Sequence, residues 1–394
     1  MLLQGVIPEI VSWKEEITHW RQDIHAHPET AFEEERTSAV VAQRLEAFGI
    51  PLTKGLAKTG VVGVIEGTGG NSEKSILLRA DMDALNLQEE TTHSYRSTHS
   101  GKMHACGHDG HTTMLLAAAR YLSAHRHLFA GRVYLVFQPA EEGFAGARKM
   151  IEEGLFTSFP ADSVWGMHNW PDIPFGKAAV HHAAVMASAD RFTITIRGKG
   201  SHAAMPHQGI DPVMVSAYVI TALQTLVSRR INPCEAAVLS ITQMKAGSAF
   251  NIIPEEAVLC GTIRAFDEES RLFLEQQLHH VSQQVAIAFG AEAMIDYWVG
   301  YPPTVNSRLE ADISLQLLSN MLGAENVQLN PPPSMGAEDF SYMLKEKPGS
   351  YIWLGQGDAN HKAMLHHPCY DFNDALLPIG ASYWVKLVET LLPV

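Results

Sequence analysis

The chain has 394 residues, of which 18% are charged and 46% are hydrophobic, as expected of a compact globular protein of two or three domains. The 43 acidic and 29 basic residues give a net charge of −14, and no run of lysines and arginines is present, which argues against nucleic acid or an anionic membrane as a partner. The four cysteines are scattered and no apolar segment is long enough to span a bilayer, so we expect reduced thiols in a cytoplasmic protein.

Strands and helices are predicted to alternate in the first part of the chain. The predicted elements are helices over 9–27 and 33–48, strands over 61–66 and 76–80, a helix over 112–123, a strand over 132–138, a helix near 146–153 and a strand over 163–167. This alternation predicts an α/β sheet covered by helices on both faces. Ligands of such sheets bind beyond the carboxyl ends of the strands, and Asp81, Glu141, Glu142 and His168 each follow a predicted strand.

The middle of the chain has a different order of elements. They are a strand over 191–197, a helix over 211–229, strands over 237–244 and 257–265, a helix over 269–289 and a strand over 292–299. The order β-α-β-β-α-β is that of a ferredoxin-like domain. We therefore predict a domain over 187–302 that is inserted into an α/β domain formed by 1–186 and 303–394, where helices and a strand resume the earlier pattern.

The loop before the helix at 112–123 is rich in residue types that bind metals. Residues 103–111 read Met-His-Ala-Cys-Gly-His-Asp-Gly-His, with three histidines and one cysteine. Imidazole and thiolate together suit zinc or its first-row neighbours, not calcium or magnesium. A capped helix start with surface histidines is the other interpretation, but the spacing His-x-Cys-x-His favours half of a metal site.

Two adjacent glutamates follow the strand over 132–138. Two adjacent carboxylates repel each other, and burial raises the free energy of each charged group. The pair therefore calls for an explanation. Because the chain turns as it leaves the strand, the two side chains are expected to point in different directions. We predict that Glu142 ligates a cation and that Glu141 is the general base that deprotonates a water and later protonates the leaving amine. Two solvated glutamates in a loop are the alternative.

Eight segments in order along nearly the whole chain match the motifs of one family. They are Arg-Ala-Asp-Met-Asp-Ala-Leu (79–85), the loop over 103–111, Gln-Pro-Ala-Glu-Glu-Gly (138–143), Met-His-Asn (167–169), Gly-Lys-Gly-Ser-His-Ala-Ala-Met-Pro-His (198–207), Phe-Asn-Ile-Ile-Pro (250–254), Gly-Ala-Glu-Asp-Phe (336–340) and Leu-His-His-Pro (365–368). On these segments the chain resembles the hippurate hydrolase and N-acyl-amino-acid amidohydrolase family, which includes auxin-conjugate hydrolases. Its relatives are aminoacylases and carboxypeptidases with two co-catalytic metals.

The resemblance implies a site for two divalent cations, zinc or manganese, with cobalt and nickel also compatible. The implied ligands are Cys106, which bridges the two ions, His108, Glu142, His168 and His366. His366 rather than His367 matches the family pattern Leu-His-x-Pro. Asp81, Asp83 and Asp109 are candidates for orienting the ligating imidazoles, and at least one of them is expected to do so. His104 and His111 are expected to be structural or supporting residues.

The resemblance also gives roles to three residues of the inserted domain, which is a lid of the dimerisation type in relatives. His202 is expected to polarise the scissile carbonyl, from its own subunit or from a partner's. Asn251 and Arg264 match positions that hold the substrate carboxylate, although Arg264 could equally form an ordinary ion pair. A homo-oligomer, dimer or tetramer, is expected.

The predicted function is metal-dependent hydrolysis of the amide bond of small N-acyl-L-amino acids such as hippurate. No residue of the sequence identifies the acyl group. A dipeptidase or an N-acetyl-diaminopimelate-type deacetylase with the same chemistry is the first alternative. A non-catalytic metal-binding protein is the second, but it would lack a base or a ligand, and none is missing from the sequence.

Overall fold

Strands and helices alternate along residues 5–394, the part of the chain that the computed structural model describes. The strands are β1 (Leu52–Leu56), β2 (Gly60–Glu66), β3 (Ser75–Asp81), β4 (Arg132–Gln138), β5 (Ser163–Pro174), β6 (Ala178–Val180), β7 (Ala184–Met186), β8 (Ala189–Arg197), β9 (Ser201–His202), β10 (Ala237–Ala246), β11 (Ile252–Ile253), β12 (Glu256–Ala265), β13 (Glu292–Tyr301), β14 (Thr304–Val305), β15 (Val327–Leu329) and β16 (Gly349–Gly357). The helices are α1 (Pro8–Ser12), α2 (Lys14–Ala26), α3 (Glu35–Ala47), α4 (His108–Ala124), α5 (Glu141–Phe144), α6 (Gly146–Glu152), α7 (Leu155–Ser158), α8 (Pro212–Thr225), α9 (Glu268–Ala288), α10 (Arg308–Leu322), α11 (Ser341–Glu346) and α12 (Leu377–Leu391). The predicted α/β class is thus confirmed.

The chain divides into two compact units. The first comprises the residues up to Ala183 together with Asn306–Pro332 and Asp339–Val394, and the second comprises Ala184–Val305 and Pro333–Glu338. Their assignment as a catalytic domain and a lid domain stays a prediction.

Within residues 5–394 no helix combines the length and the hydropathy that crossing a bilayer requires.

The first unit is built on a mixed sheet of eight strands in the order β1-β2-β4-β3-β5-β16-β6-β15. Its central strands β4, β3, β5 and β16 are parallel, and all seven residues of β3 are buried. Continuous apolar runs of this kind are typical of parallel strands that are covered on both faces. Strand residues such as Leu78 and Leu135 share one core with Leu116 of α4 and Leu387 of α12, so the carboxyl ends of the parallel strands are held on a rigid frame.

The second unit contains an antiparallel sheet in the order β10-β12-β8-β13, against which α8 and α9 pack. Both helices start at an aspartate that caps them: Asp211 accepts hydrogen bonds from Val213 N and Met214 N, and Asp267 accepts one from Ser270 N. This strand order, with the two helices between the strands, is the ferredoxin-like arrangement, which confirms the predicted β-α-β-β-α-β pattern.

Two predicted boundaries near the site were wrong. We expected His168 just after a strand that ends at Met167, but β5 continues to Pro174 because it stays paired with β16, where His168 lies opposite Trp353. Asp81 is likewise the last residue of β3 rather than the first after it.

The edge strand β1, which reads Leu-Thr-Lys-Gly-Leu and is largely exposed, was not predicted because it has no apolar alternation.

Candidate metal centre

The loop that carries Cys106 turns into α4 at Gly107, which has a φ of 96°. A Cβ atom there would lie 2.2 Å from Oδ1 of Asn169 and 2.7 Å from the hydroxyl of Tyr370, so only glycine fits this turn. The helix consequently begins at His108, four residues earlier than predicted. Cys106 and His108 lie on either side of the turn and are 7% and 1% exposed.

The structure brings together the five residues that were predicted as metal ligands. Two groups have their ligand atoms within 4.8 Å of one another: Cys106 with His108 and His168, and Cys106 with Glu142 and His366. Sγ of Cys106 lies 3.3 Å from Nε2 of His168, and Nε2 of His366 lies 3.2 Å from Oε1 of Glu142. Cys106 belongs to both groups, which is the position that a bridging ligand requires.

Two of the histidines are oriented through their other ring nitrogen. Nδ1 of His108 lies 2.9 Å from the carbonyl oxygen of Asp83, and Nδ1 of His168 lies 2.7 Å from the carbonyl oxygen of Asn169. Such contacts fix the tautomer of metal-binding imidazoles. Nε2 of His108 is buried and has no hydrogen-bond partner among the described residues, as expected of an atom that binds a cation.

The electrostatics of the cluster also fit a cation. Burial and the charge of Glu142 raise the pKa of the Cys106 thiol, and burial together with His111 lowers the pKa of His168 well below its ordinary value. Without a cation, these shifts favour a neutral Cys106 thiol and a neutral His168 imidazole. The pKa of His108 shifts the other way: although burial opposes it, the charge of Asp81 raises this pKa well above its ordinary value. A bound cation would supply the positive charge that stabilises the thiolate form of Cys106. The donor set of thiolate, imidazoles and carboxylate thus fits a divalent transition metal.

A buried polar network supports the cluster from the strand side. Nδ1 of His111 lies 2.6 Å from Asp81, and Nε2 of His111 lies 2.7 Å from Oδ1 of Asn169. Arg79 donates hydrogen bonds to Asp81 and Asp339 at 2.7 Å and 2.9 Å. Burial alone would raise the pKa of Asp81, but the charges of His108, His111 and Arg79 lower it well below its usual value.

Sequence reasoning gave no role to Arg79 or Asp339. The available signal was an arginine within the otherwise apolar Ile-Leu-Leu-Arg-Ala segment (76–80) of β3. A buried arginine requires carboxylate partners, and these partners are Asp81 and Asp339.

The paired glutamates lie on a sharply bent segment. α5 is interrupted at Gly143, whose φ is 87°, and the two carboxylates have different neighbours. Oε1 of Glu142 faces His366, whereas Oε1 of Glu141 accepts a hydrogen bond from the backbone N–H of Asp339 at 3.4 Å. A carboxylate oxygen of Glu141 still lies within 4.8 Å of the ligand atoms of His108 and Glu142, so Glu141 borders the cluster.

The other three predicted site residues belong to the second unit. His202 is exposed on β9, and the N–H of Ala203 donates to the carbonyl oxygen of Asn251, so His202 and Asn251 lie on neighbouring segments. Arg264 lies on β12 and donates to Oγ1 of Thr262 at 2.9 Å. Within residues 5–394 we find no carboxylate in ion-pair contact with Arg264. Burial lowers the pKa of the Arg264 guanidinium. The roles of these three residues stay predictions.

A cavity of about 540 Å³ in the first unit opens beside Glu142. Its walls combine apolar and polar side chains, among them Leu85, Asn86, Lys102 and Phe144. Lys102 forms an ion pair with Glu33 at 2.7 Å, so the charge of this lysine is already balanced. The volume lies in the range of small-molecule binding sites.

Comparison with known proteins gives matches over nearly the whole chain. Residues 77–390 match the family described as Peptidase family M20/M25/M40. The hippurate hydrolase of Campylobacter jejuni is 42% identical over 97% of this chain and 98% of its own length, and the N-acetyl-L-cysteine deacetylase of Bacillus subtilis is 39% identical over 93% and 85%. The crystal structure of a dinuclear metal-binding peptidase of the M20 family from Bacillus subtilis superimposes with a TM-score of 0.84, with 32% identity and coverage of 97% and 99%.

Proposed function

Because the chain belongs to peptidase family M20/M25/M40, we propose that it hydrolyses the amide bond of N-acyl-L-amino acids, hippurate among them. The family resemblance inferred from the motifs is confirmed, and the chain is an amidohydrolase. The observation that carries metal-dependent hydrolysis is the convergence of five candidate ligand residues on Cys106, with a further carboxylate, Glu141, at their border. The choice of N-acyl amino acids as substrates is supported by the names of the relatives. Hippurate and N-acetyl-L-cysteine, which appear in the names of the relatives from Campylobacter jejuni and Bacillus subtilis, are both N-acyl amino acids.

The residues that would hold two divalent cations are Cys106, His108, Glu142, His168 and His366. When bound, such ions lower the pKa of water from about 15.7 to about 7 and polarise the acyl oxygen of the substrate. Zinc and manganese are the metals that we propose first, and the same thiolate and imidazole set is compatible with cobalt and nickel.

Glu141 is the proposed general base. Its carboxylate takes a proton from the water that attacks the acyl carbon, and passes this proton to the nitrogen of the leaving amino acid when the C–N bond breaks. Amide and water thus yield a carboxylic acid and a free amine. Glu141 is 6% exposed, so few solvent molecules compete for its proton.

Residues of the second unit are proposed to bind the substrate. The imidazole of His202 donates a hydrogen bond to the oxyanion that develops on the acyl oxygen. Asn251 and Arg264 hold the carboxylate of the amino-acid half, for which the fork of a guanidinium is well shaped.

The cavity beside Glu142 is proposed to receive the acyl half. Leu85 and Phe144 give its wall apolar surface, on which an uncharged acyl group can pack. The lysine of the wall, Lys102, is already paired with Glu33, so it offers little to the carboxylate of the amino-acid half. Phe144 is 62% exposed, so an aromatic acyl group would remove apolar surface of this ring from water.

Turnover by metal-depleted protein with single metals added back tests the proposal. We expect hippurate and N-acetyl-methionine to be hydrolysed after addition of zinc or manganese, and neither to be hydrolysed in chelator. Dipeptides and N-acetyl-diaminopimelate belong in the same panel. Cleavage of dipeptides alone, or turnover that persists in chelator, would replace the proposed function by the corresponding alternative.

A further inference from the structure

The segment that carries the paired glutamates has an unusual backbone. Ala140 has φ 58° and ψ 41°, and Ala145 has φ 56° and ψ 51°, which is the left-handed conformation that glycine normally occupies. Alanine stays in this conformation only where surrounding groups enforce it. Glu141 directly follows Ala140, so the conformation of Ala140 sets the direction in which the Glu141 side chain leaves the backbone.

Three buried carboxylates accept hydrogen bonds from backbone N–H groups of this segment. Glu34 accepts from Ala140, Asp83 accepts from Glu142 and Asp339 accepts from Ala147, each at 2.9 Å. Nδ1 of His108 lies 3.3 Å from the Asp83 carboxylate, and Arg79 donates to that of Asp339. Two of the three carboxylates therefore also serve the polar network around the cluster.

Glu34 differs from the other two in its neighbours. It is fully buried, and its partners are neutral donors: Oε1 accepts from the N–H groups of Phe32 and Ala140, and Oε2 accepts from the hydroxyl of Thr59 at 2.7 Å. Burying a carboxyl group beside neutral partners costs free energy of folding. Glu34 contributes no metal-ligand atom in the proposed mechanism, so its position calls for a separate explanation.

We infer that Glu34 is a positioning residue for Glu141. Its hydrogen bond to Ala140 holds this residue in the left-handed conformation, and so directs the Glu141 carboxylate toward the metal cluster. The inference rests on the proposed function, because it assumes that Glu141 is the general base. Proton transfer depends steeply on the placement of the base.

Substitutions of Glu34 distinguish positioning from a merely structural role. Glu34→Gln keeps a carbonyl oxygen for the Ala140 N–H and a polar group for Thr59, whereas Glu34→Ala removes both. In the metal-loaded enzyme we expect Glu34→Ala to lower kcat for hippurate roughly ten- to a hundredfold, with KM within about twofold and bound metal unchanged. Glu34→Gln should restore kcat to within about threefold of the wild type.

Glu34→Asp is the variant to use if Glu34→Ala does not fold. It keeps the charge but withdraws the oxygen from Ala140 by one methylene, so we expect a loss of kcat here as well. The matched control is Glu29→Ala. The Glu29 carboxylate accepts hydrogen bonds from the backbone N–H groups of Arg36 and Thr37 at the start of α3, so its loss removes similar bonds away from the paired glutamates.

Hydrogen–deuterium exchange gives a readout that does not depend on activity. In Glu34→Ala, peptides that cover residues 139–146 should exchange faster than in the wild type, while Glu34→Gln and Glu29→Ala should leave them unchanged. Wild-type kcat and wild-type exchange of these peptides in Glu34→Ala or Glu34→Asp would overturn the positioning role. Absence of N-acyl-amino-acid hydrolysis by the wild type would overturn the proposed function instead, and the exchange data would still decide whether Glu34 holds the segment.

Discussion

Sγ of Cys106 lies 3.3 Å from Nε2 of His168, although 62 residues separate them in the chain. The left-handed turn at Gly107 places the thiol there, and the long strand β5 places the imidazole. With the pKa of the thiol raised and that of the imidazole lowered, both groups are neutral when no cation is present. Without a cation, the thiol and the imidazole at this distance share a proton in an S–H···N hydrogen bond. A divalent cation bound by both groups would replace that proton, and this leads to the first prediction.

Cys106→Ala should reduce the metal content of the protein. Because Cys106 belongs to both ligand groups, its loss should weaken the binding of both ions. A lost ligand is expected to lower the affinity for a metal ion by at least about tenfold. Elemental analysis after dialysis against limiting zinc measures the effect. Cys234→Ala, which removes an exposed thiol of the second unit, is the control. Full metal occupancy in Cys106→Ala would contradict the ligand role.

Glu141→Gln should keep both metals and lose nearly all turnover. The amide cannot accept a proton from water, and removal of a general base typically costs about 10²- to 10⁴-fold in rate. Glu142→Gln is the matched comparison, because it alters the neighbouring carboxylate that faces His366 and should lower metal content as well. Turnover of hippurate and elemental analysis of each variant separate the two roles. A Glu141→Gln enzyme with the wild-type kcat would remove the general-base assignment.

The parts of the site that the sequence predicts are those with a local signal. Cys106 and His108 stand two residues apart in one loop, and Glu141 and Glu142 are adjacent, so residue type and spacing were sufficient to propose metal chemistry. The α/β class and the ferredoxin-like insertion followed equally from the order of apolar runs. His366 came only through the family resemblance, because nothing near it in sequence indicates a metal.

The supporting residues were harder to predict because their partners lie far away in sequence. Arg79 and Asp339 are 260 residues apart, and Glu34 and Ala140 are 106 apart. A single sequence gives no information on such pairs, and Glu34 lies in a run of three glutamates that resembles a solvated helix start. The left-handed conformation of Ala140 is imposed by tertiary contacts, which local propensity does not encode.

Phe144→Ala should change substrate preference more than overall activity. If the benzoyl group of hippurate packs on the Phe144 ring, removal of this ring should lower kcat/KM for hippurate by roughly tenfold. This factor corresponds to about 1.4 kcal/mol of binding free energy, within the range for partial burial of an aromatic ring. N-acetylglycine, whose acyl group is too small to cover the ring, should change by less than about twofold. Phe175→Ala, another exposed phenylalanine outside the cavity wall, is the control. Equal losses for both substrates would place the acyl group elsewhere.

Arg79→Met should destabilise the first unit strongly. The substitution leaves Asp81 and Asp339, both fully buried, without the guanidinium that bridges them, and breaking a buried ion pair from one side typically costs about 3–5 kcal/mol. Denaturant titration gives the free energy of unfolding. The comparison is Arg132→Met, which removes an exposed partner of Glu66 and should cost less than about 1 kcal/mol. Similar losses in the two variants would show that the Asp81–Arg79–Asp339 bridge contributes little.

Glu34→Gln should change how stability depends on pH. Burial, with a further contribution from the charge of Asp83, raises the pKa of Glu34 from 4.5 to about 7. The folded state therefore binds a proton more tightly than the unfolded state, and the stability that this proton contributes is complete below about pH 4.5 and lost as the pH rises through about 7. At about 1.4 kcal/mol per pKa unit, the wild type should lose ~3 kcal/mol more than Glu34→Gln between pH 4.5 and 8, an order-of-magnitude figure. Parallel curves of unfolding free energy against pH for the two proteins would show that Glu34 titrates normally, and that its carboxylate is held in place without the cost of desolvation.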